Sequence, residues 1–213
     1  MNKKEKFVIT INRELGSGGR SIGEKLAARL NVPFYDKALI KALEEKYNLT
    51  VEEIESLKGR SHSWWADLKR VMGLGYALSN SPEMKFSVIN EPDILTTDEM
   101  FKTELEILRG IAETESCVVA GRSGFYVFRD HPNHLSILIL APLAQRIQRI
   151  MRKRNISSEE AEQIIKQVDE QRENYVKKYT GTSRYDARNY DLVINSAGRS
   201  EDEIVEMILK YIG

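Results

Sequence analysis

The residues between Phe7 and Tyr35 restrict the fold more than any other part of the chain. The apolar run Phe7-Val8-Ile9-Thr10-Ile11 reads as a buried strand, and Val32-Pro33-Phe34-Tyr35 as a short second one, with Pro33 at its start or on an edge. Between them Ile22, Leu26 and Leu30 recur at helical spacing, while Gly23 and Ala27 keep that face small enough to lie close to a sheet. Asn31 ends the pattern. Strand, helix and strand in so short a span form a right-handed crossover with parallel strands. Such units hold ligands at the carboxyl ends of their strands.

Gly16-Ser17-Gly18-Gly19-Arg20-Ser21 occupies that position after the first strand. A glycine-rich turn entering a helix points several backbone N–H groups into one concavity, and the helix dipole adds attraction for an anion. The usual nucleotide loop is G-x-x-x-x-G-K-[ST]; from Glu14 to Ser21 this chain has Glu14 for the first glycine and Arg20 for the lysine. A plain connecting turn is the competing reading. Glu14 beside the cradle also calls for a neutralising cation, with Arg13 and Lys25 the candidates.

Residues 37 to 94 lose the alternation of strand and helix. Ala38 to Tyr47, Val51 to Leu57 and Trp64 to Leu78 have helical character, the last broken by Gly73 and Gly75, so the segment reads as an insertion. Trp64 and Trp65 could stack on a base, although an adjacent pair in a helical lobe commonly divides between core and interface. Alternation then resumes: a helix from Thr97 to Glu113, the apolar strand Cys117 to Ala120 running into Gly121-Arg122-Ser123-Gly124, and a strand from Leu135 to Leu140. Pro142 suits the first turn of a helix that continues through Met151, and Ser157 with Glu160 forms a capping box for a long helix to Tyr179. Asp191 to Ile194 and Glu201 to Ile212 supply a fifth strand and a closing helix. Five buried strands interleaved with helices predict a three-layer α/β architecture in one domain spanning residues 1 to 213.

Equal numbers of basic and acidic side chains, 32 of each, leave no bulk charge to attract nucleic acid or an anionic membrane, so any anion site must be local. The one cysteine, Cys117, has no internal disulfide partner and is most simply a core residue. His131 and His134 flank Pro132 in a loop-like stretch without a nearby third ligand, which argues against a metal site. No apolar run approaches the length of a membrane span, and the N-terminal apolar run is too short for a signal peptide. A soluble, reducing, cytoplasmic setting is expected.

Arginines concentrate late in the chain. Arg146, Arg149, Arg152 and Arg154 precede the long helix, Arg172 lies in it, and Thr180 to Arg188 is a polar, mobile-looking stretch containing Arg184 and Arg188. Phosphoryl transfer requires preorganised donors around the transferring charge and exclusion of water, and arginines on a closing segment serve both needs. Ordinary surface ion pairs with Glu159, Glu160 and Glu170 are the alternative.

The set Ile11 to Gly23, Pro33-Phe34-Tyr35-Asp36-Lys37, Val119-Ala120-Gly121-Arg122 and Tyr190 to Asn195, in this order and spacing, resembles the cytidylate kinase-like proteins of the P-loop nucleoside monophosphate kinases. The resemblance covers nearly the whole chain. It implies a five-stranded parallel sheet, an inserted acceptor-binding lobe at 37 to 94 and a helical lid at 152 to 189. It further implies ATP-dependent phosphorylation of a nucleoside monophosphate, with a CMP- or dCMP-like acceptor, ATP and Mg2+, and no nucleic-acid or membrane partner. Gly16, Ser17, Gly18 and Gly19 would wrap the donor phosphates, with Arg20 in the lysine's place and Ser21 on the metal. Asp36 would orient the acceptor or hold metal-bound water, Arg122 would contact the acceptor phosphate, and Arg152 and Arg172 would act from the lid, supported by Arg184 and Arg188 at the substrate. Ser123 stands where cytidylate kinases have an aspartate. A regulatory nucleotide-binding module with little catalysis, or a P-loop kinase for a non-nucleotide metabolite, are the other functions compatible with these residues.

Overall fold

The computed structural model describes residues 1–37, 50–60, 65–66 and 98–213. Most of the expected insertion, including Ala38 to Tyr47, Trp64 and Gly73 to Pro92, therefore lies outside the described residues. Five strands form one parallel sheet: β1 (Val8–Arg13), β2 (Phe34–Asp36), β3 (Cys117–Ala120), β4 (His134–Leu140) and β5 (Leu192–Asn195), in the order β2-β3-β1-β4-β5. β1 is central, pairing Ile9 with Val118 on one side and with Leu135 on the other. It continues to Arg13, past the apolar run, because Asn12 and Arg13 still pair with Leu138 and Ile139.

The alternation along β1 divides the core between the two faces of the sheet. Ile9 and Ile11 join Ile22, Leu26 and Ala27 of helix α1 (Gly19–Leu30), together with Ile204, Val205 and Ile208 of a C-terminal helix, Glu201–Ile212. Val8 and Val119 face the other way, onto Ile54 of α2 (Val51–Arg60), Trp65, and Ile107, Leu108 and Ile111 of α3 (Asp98–Thr114). Trp65 is thus part of the core. Each buried aliphatic side chain contributes about 1.5–3 kcal/mol relative to exposure, so these two clusters are what hold β1, and the loop it carries, in place. Gly23 is required for the close approach of α1: a Cβ there would fall 2.7 Å from the Phe34 ring.

α1 ends at Asn31, whose left-handed backbone (φ 56°) lets its amide reach the Ala27 and Ala28 carbonyls. After β3, Gly121, Arg122 and Ser123 make a left-handed turn into a single helical turn, α4 (Gly124–Val127), too short to register in sequence periodicity. α5 (Leu143–Arg154) and α6 (Ser158–Thr180) form a hairpin turned at Asn155. The Ser157–Glu160 capping box starts α6. Ile150, Ala161 and Ile165 of this hairpin pack with Leu15, which brings the arginine-bearing helices onto the glycine loop. The C-terminal helix, α7 (Glu201–Ile212), closes the face beside α1 and has its own capping box, Ser200 with Glu203. Among the described residues no helix is long and apolar enough to cross a membrane.

Candidate functional site

The glycine loop joins the carboxyl end of β1 to the first turn of α1, as the crossover requires. Gly16 (φ +83°) and Gly18 (φ +85°) both hold left-handed backbone, a conformation that costs an ordinary residue about 1–2 kcal/mol. Ser17 is buried, and its hydroxyl donates to the Glu14 carbonyl at 2.9 Å while its own carbonyl accepts from the Ser196 hydroxyl at 2.8 Å. Gly18, at the helix N-cap, supplies no side chain to the first-turn amides. The amides of α1's first turn, including Arg20 and Ser21, therefore face a concavity suited to an anion.

Six arginines lie on this loop or on the end of β1 that leads into it. Arg146 packs against Gly16 and donates to the Leu15 carbonyl at 3.3 Å. Arg149 lies over Gly18, with its other contact a 3.0 Å ion pair to Glu201. Arg172 and Arg184 both donate to the Arg13 carbonyl, the first at 3.2 Å. Arg20 pairs with Asp36 at 2.9 Å and Glu24 at 3.1 Å. The stem of Arg13 runs along Gly19. Loss of solvent, then repulsion from Arg172, pulls the Arg13 guanidinium down to about 9; attraction to Asp36 opposes this, and Arg184 and Arg20 add smaller repulsions. Arginine keeps its proton even so.

Asp169 of α6 organises much of the cluster. Its carboxylate accepts from the Leu15 amide at 3.0 Å, from Arg146, and lies 3.6 Å from both Arg172 and Arg184. Glu14 is neutralised by Arg146, 3.6 Å away, and accepts from the Ala141 amide at 3.0 Å. Lys25 instead pairs with Asp202 and Glu201, and Arg13 turns toward Gly19, so neither expected partner of Glu14 serves it.

On the other side of the cleft Asp36 is buried at the carboxyl end of β2. Arg122 is buried at the end of β3, in a salt bridge with Glu104 of α3 and 4.9 Å from the Tyr175 ring centroid; the Tyr175 hydroxyl donates to Glu104 at 3.1 Å. Gly121, Arg122 and Ser123 all have positive φ (82°, 55° and 51°), which glycine adopts freely but which strains Arg122 and Ser123, and such strain concentrates at functional turns. Arg184 is 1% exposed and fixed by two further hydrogen bonds: its amide donates to Glu173, and its carbonyl accepts from the Tyr190 hydroxyl, which itself accepts from Asn12. The stretch expected to be mobile therefore has an anchored centre.

Gly16 to Ser21, Asp36, Arg122, Arg172 and Arg184 thus gather at the carboxyl ends of β1, β2 and β3. Arg152 does not: it is exposed and donates to the Gln148 carbonyl of its own helix. Arg188 points to solvent and pairs with Asp186 at 2.7 Å. Arg13, Arg149 and Asp169 were not assigned site roles on sequence grounds, although the i, i+3 spacing of Arg146 with Arg149 and of Asp169 with Arg172 signalled two paired faces. No local signal pointed to Glu104, which the fold brings to Arg122 from a preceding helix.

A five-stranded parallel sheet with a glycine loop after its central strand and arginine-bearing helices folded over that loop defines a P-loop kinase fold. A crystal structure of an uncharacterized protein from Eubacterium ventriosum ATCC 27560 has the same fold, with a TM-score of 0.70 at 23% identity over 97% of this chain and 98% of that one. The chain belongs to the cytidylate kinase-like family, whose model matches residues 8–198. It is similar to the cytidylate kinase of Sulfolobus acidocaldarius, 26% identical over 96% of this chain and 93% of the relative, and to that of Saccharolobus islandicus, 26% identical over 97% and 90%. Membership supports kinase chemistry with a nucleotide; identity at this level leaves the acceptor to be argued.

Proposed function

We propose that this protein transfers the γ-phosphoryl group of ATP to a nucleoside monophosphate, with CMP or dCMP the favoured acceptor. The observation that carries the reading is the left-handed glycine loop at the start of α1, enclosed by Arg13, Arg146, Arg149, Arg172 and Arg184. Gly16 to Gly19 and the amides of Arg20 and Ser21 hold the donor phosphates, while Arg172 and Arg184 surround them from α6 and the segment after it. Arg20 fixes Asp36 beside the loop. The buried Arg122, on its strained turn at the end of β3, takes the acceptor phosphate in exchange for Glu104. A direct in-line transfer needs no enzyme-bound phosphate and no acid or base stronger than these groups.

The residues also fit a magnesium ion shared with the nucleotide. Among the described residues no set of three acidic, histidine or cysteine side chains could enclose a metal alone, but Ser21 offers a hydroxyl and Asp36 a carboxylate able to hold a metal-bound water, the pattern of a cation bound largely by phosphate oxygens. When bound it would neutralise charge on the β and γ phosphates.

A second reading, a nucleotide-binding regulatory module with little catalysis, is favoured by one observation: Arg20, in the usual lysine's place, is engaged by two carboxylates. Offering CMP, dCMP, UMP, AMP and GMP with Mg-ATP and measuring ADP separates the readings. Acceptor-dependent ADP release, greatest with CMP or dCMP, is expected. ATP binding without such release sinks the kinase reading, and ADP release only with non-nucleotide acceptors moves the substrate to another class.

A further inference from the structure

In the usual P-loop the lysine of the first helical turn brings positive charge to the transferring phosphate. Arg20 fills that position but faces acids on two sides, Asp36 at 2.9 Å and Glu24 at 3.1 Å, and two adjacent carboxylates leave it little net field for a third anion. The residue that ends β1 is placed otherwise. Arg13 lays its stem against Gly19, where a Cβ would fall 2.5 Å from the arginine's own Cβ, and its Nη1 occupies the space a side chain on Gly121 would need. Gly19 begins the helix behind the donor loop, and Gly121 opens the turn that carries Arg122. The side chain therefore runs from the donor side, where its stem lies, to Gly121, where its guanidinium lies. Among the described residues it makes no hydrogen bond and no ion pair, whereas its carbonyl is held by Arg172 and Arg184. Its backbone is pinned, and the acid that acts on its charge, Asp36, is already paired with Arg20.

We propose that Arg13, rather than Arg20, is the cation that meets the phosphoryl group in transfer, gripping its oxygens from between Gly19 and Gly121. The inference rests on the phosphoryl-transfer reading above. An ionised oxygen of the acceptor phosphate forms a bond to the γ phosphorus as the bond from that phosphorus to the β–γ bridging oxygen breaks. ADP leaves with the electron pair. Arg13 contributes N–H donors and positive charge throughout and neither gains nor loses a proton. Arg172 and Arg184 add positive charge around that point, and Asp36, which Arg20 already pairs, is the acid that opposes them.

The test compares full-length wild type, Arg13→Gln, Arg13→Lys and Arg20→Gln. Binding of tripolyphosphate, which lacks base and sugar, is measured by calorimetry, and ADP release with Mg-ATP and CMP by a coupled assay. Arg13→Gln is expected to weaken tripolyphosphate about tenfold and to slow turnover about a hundredfold, the scale of losing one charge-stabilising donor. Arg13→Lys and millimolar guanidinium ion added to Arg13→Gln should each restore part of the rate, which a packing role alone would not predict. Arg20→Gln should lose less on both measures. Losses in Arg20→Gln equal to or larger than those in Arg13→Gln overturn the proposal, as does undiminished turnover in Arg13→Gln, which leaves phosphoryl transfer itself standing. Loss of tripolyphosphate binding in Arg13→Gln alongside a wild type that releases no ADP with any acceptor sinks the transfer reading and keeps Arg13 as a donor-phosphate ligand. Should Arg13→Gln fail to fold, Arg13→Lys decides: full wild-type turnover without the planar fork counts against the assignment.

Discussion

Asp169→Asn tests the organisation of the site most directly. The carboxylate faces Arg146, Arg172 and Arg184, of which Arg146 is 8% and Arg184 1% exposed. Asparagine keeps an oxygen for the Leu15 amide and nearly the same volume, so the substitution removes charge and little else. Leaving a buried partner charge uncompensated costs about 3–5 kcal/mol, and the partial exposure of Arg172 favours the lower end, about 3 kcal/mol. For a chain of this size that lowers Tm by about 6–12 °C. Urea or thermal unfolding at neutral pH measures it. The same experiment with tripolyphosphate carries a second expectation: the variant's cluster has lost an anion, so the ligand should stabilise the variant by more than it stabilises wild type at equal concentration. A destabilisation below about 1 kcal/mol would show that Asp169 is a surface-like pair and refute the buried-network argument. Equal ligand stabilisation of both proteins would show that the arginines around Asp169 do not face the anion.

Three further outcomes follow from the structure. Gly18→Val places a β-branched residue at φ +85° and its side chain on Arg149; Arg149 can swing aside but the backbone cannot, so ATP affinity measured by calorimetry should fall by about tenfold or more. Arg122→Lys keeps a charge for Glu104 but loses the planar fork, and kinetics with varied acceptor should show KM raised or kcat lowered by about tenfold with ATP affinity little changed; the opposite pattern would place Arg122 on the donor side. Burial, opposed by attraction to Asp191 and aided by a smaller repulsion from His131, lowers His134 to about 4, and its Nε2 lies 2.8 Å from the Thr10 hydroxyl. Between pH 4 and 6.5 the unfolded chain binds the proton and the folded one does not, so stability should rise by about 3 kcal/mol across that window and level off above it. His134→Gln should flatten the rise in urea melts taken at successive pH values, and an unchanged slope would remove His134 as its source.

Much of the architecture was legible along the chain because it depends on short-range rules. Apolar runs marked the strands, Ile22, Leu26 and Leu30 marked the buried face of α1, and Ser157 with Glu160 marked the start of α6. The extension of β1 to Arg13 was not legible, since polar Asn12 and Arg13 are strand only by virtue of pairing with β4. The place of the glycine loop, between the first strand and the first helix, could be read from the order strand, glycines, helix. Its cations could not be assigned in the same way. Arg146, Arg149 and Arg152 look alike in sequence, yet each residue advances a helix by about 100°, so that if Arg146 and Arg149 meet the loop, Arg152 is turned about 120° from Arg146. Which of these faces meets the loop is decided by Ile150, Ala161 and Ile165 packing with Leu15.

What the sequence determined by itself is a parallel α/β sheet with a glycine loop leading from its first strand into a helix, because strand, turn and helix preferences act among neighbours. Only the tertiary structure decided which charges neutralise one another. Glu14 is served by Arg146 rather than by Arg13, Arg20 is taken up by Asp36 across the crossover, and Arg172 and Arg184 meet the Arg13 carbonyl from the far end of the chain. Coulomb energy depends on separation and surrounding dielectric, and neither is a function of distance along the chain. Packing of the α5–α6 hairpin on Leu15 sets both for the arginines of that hairpin, while Arg13, its guanidinium against Gly121, makes no side-chain hydrogen bond or ion pair among the described residues.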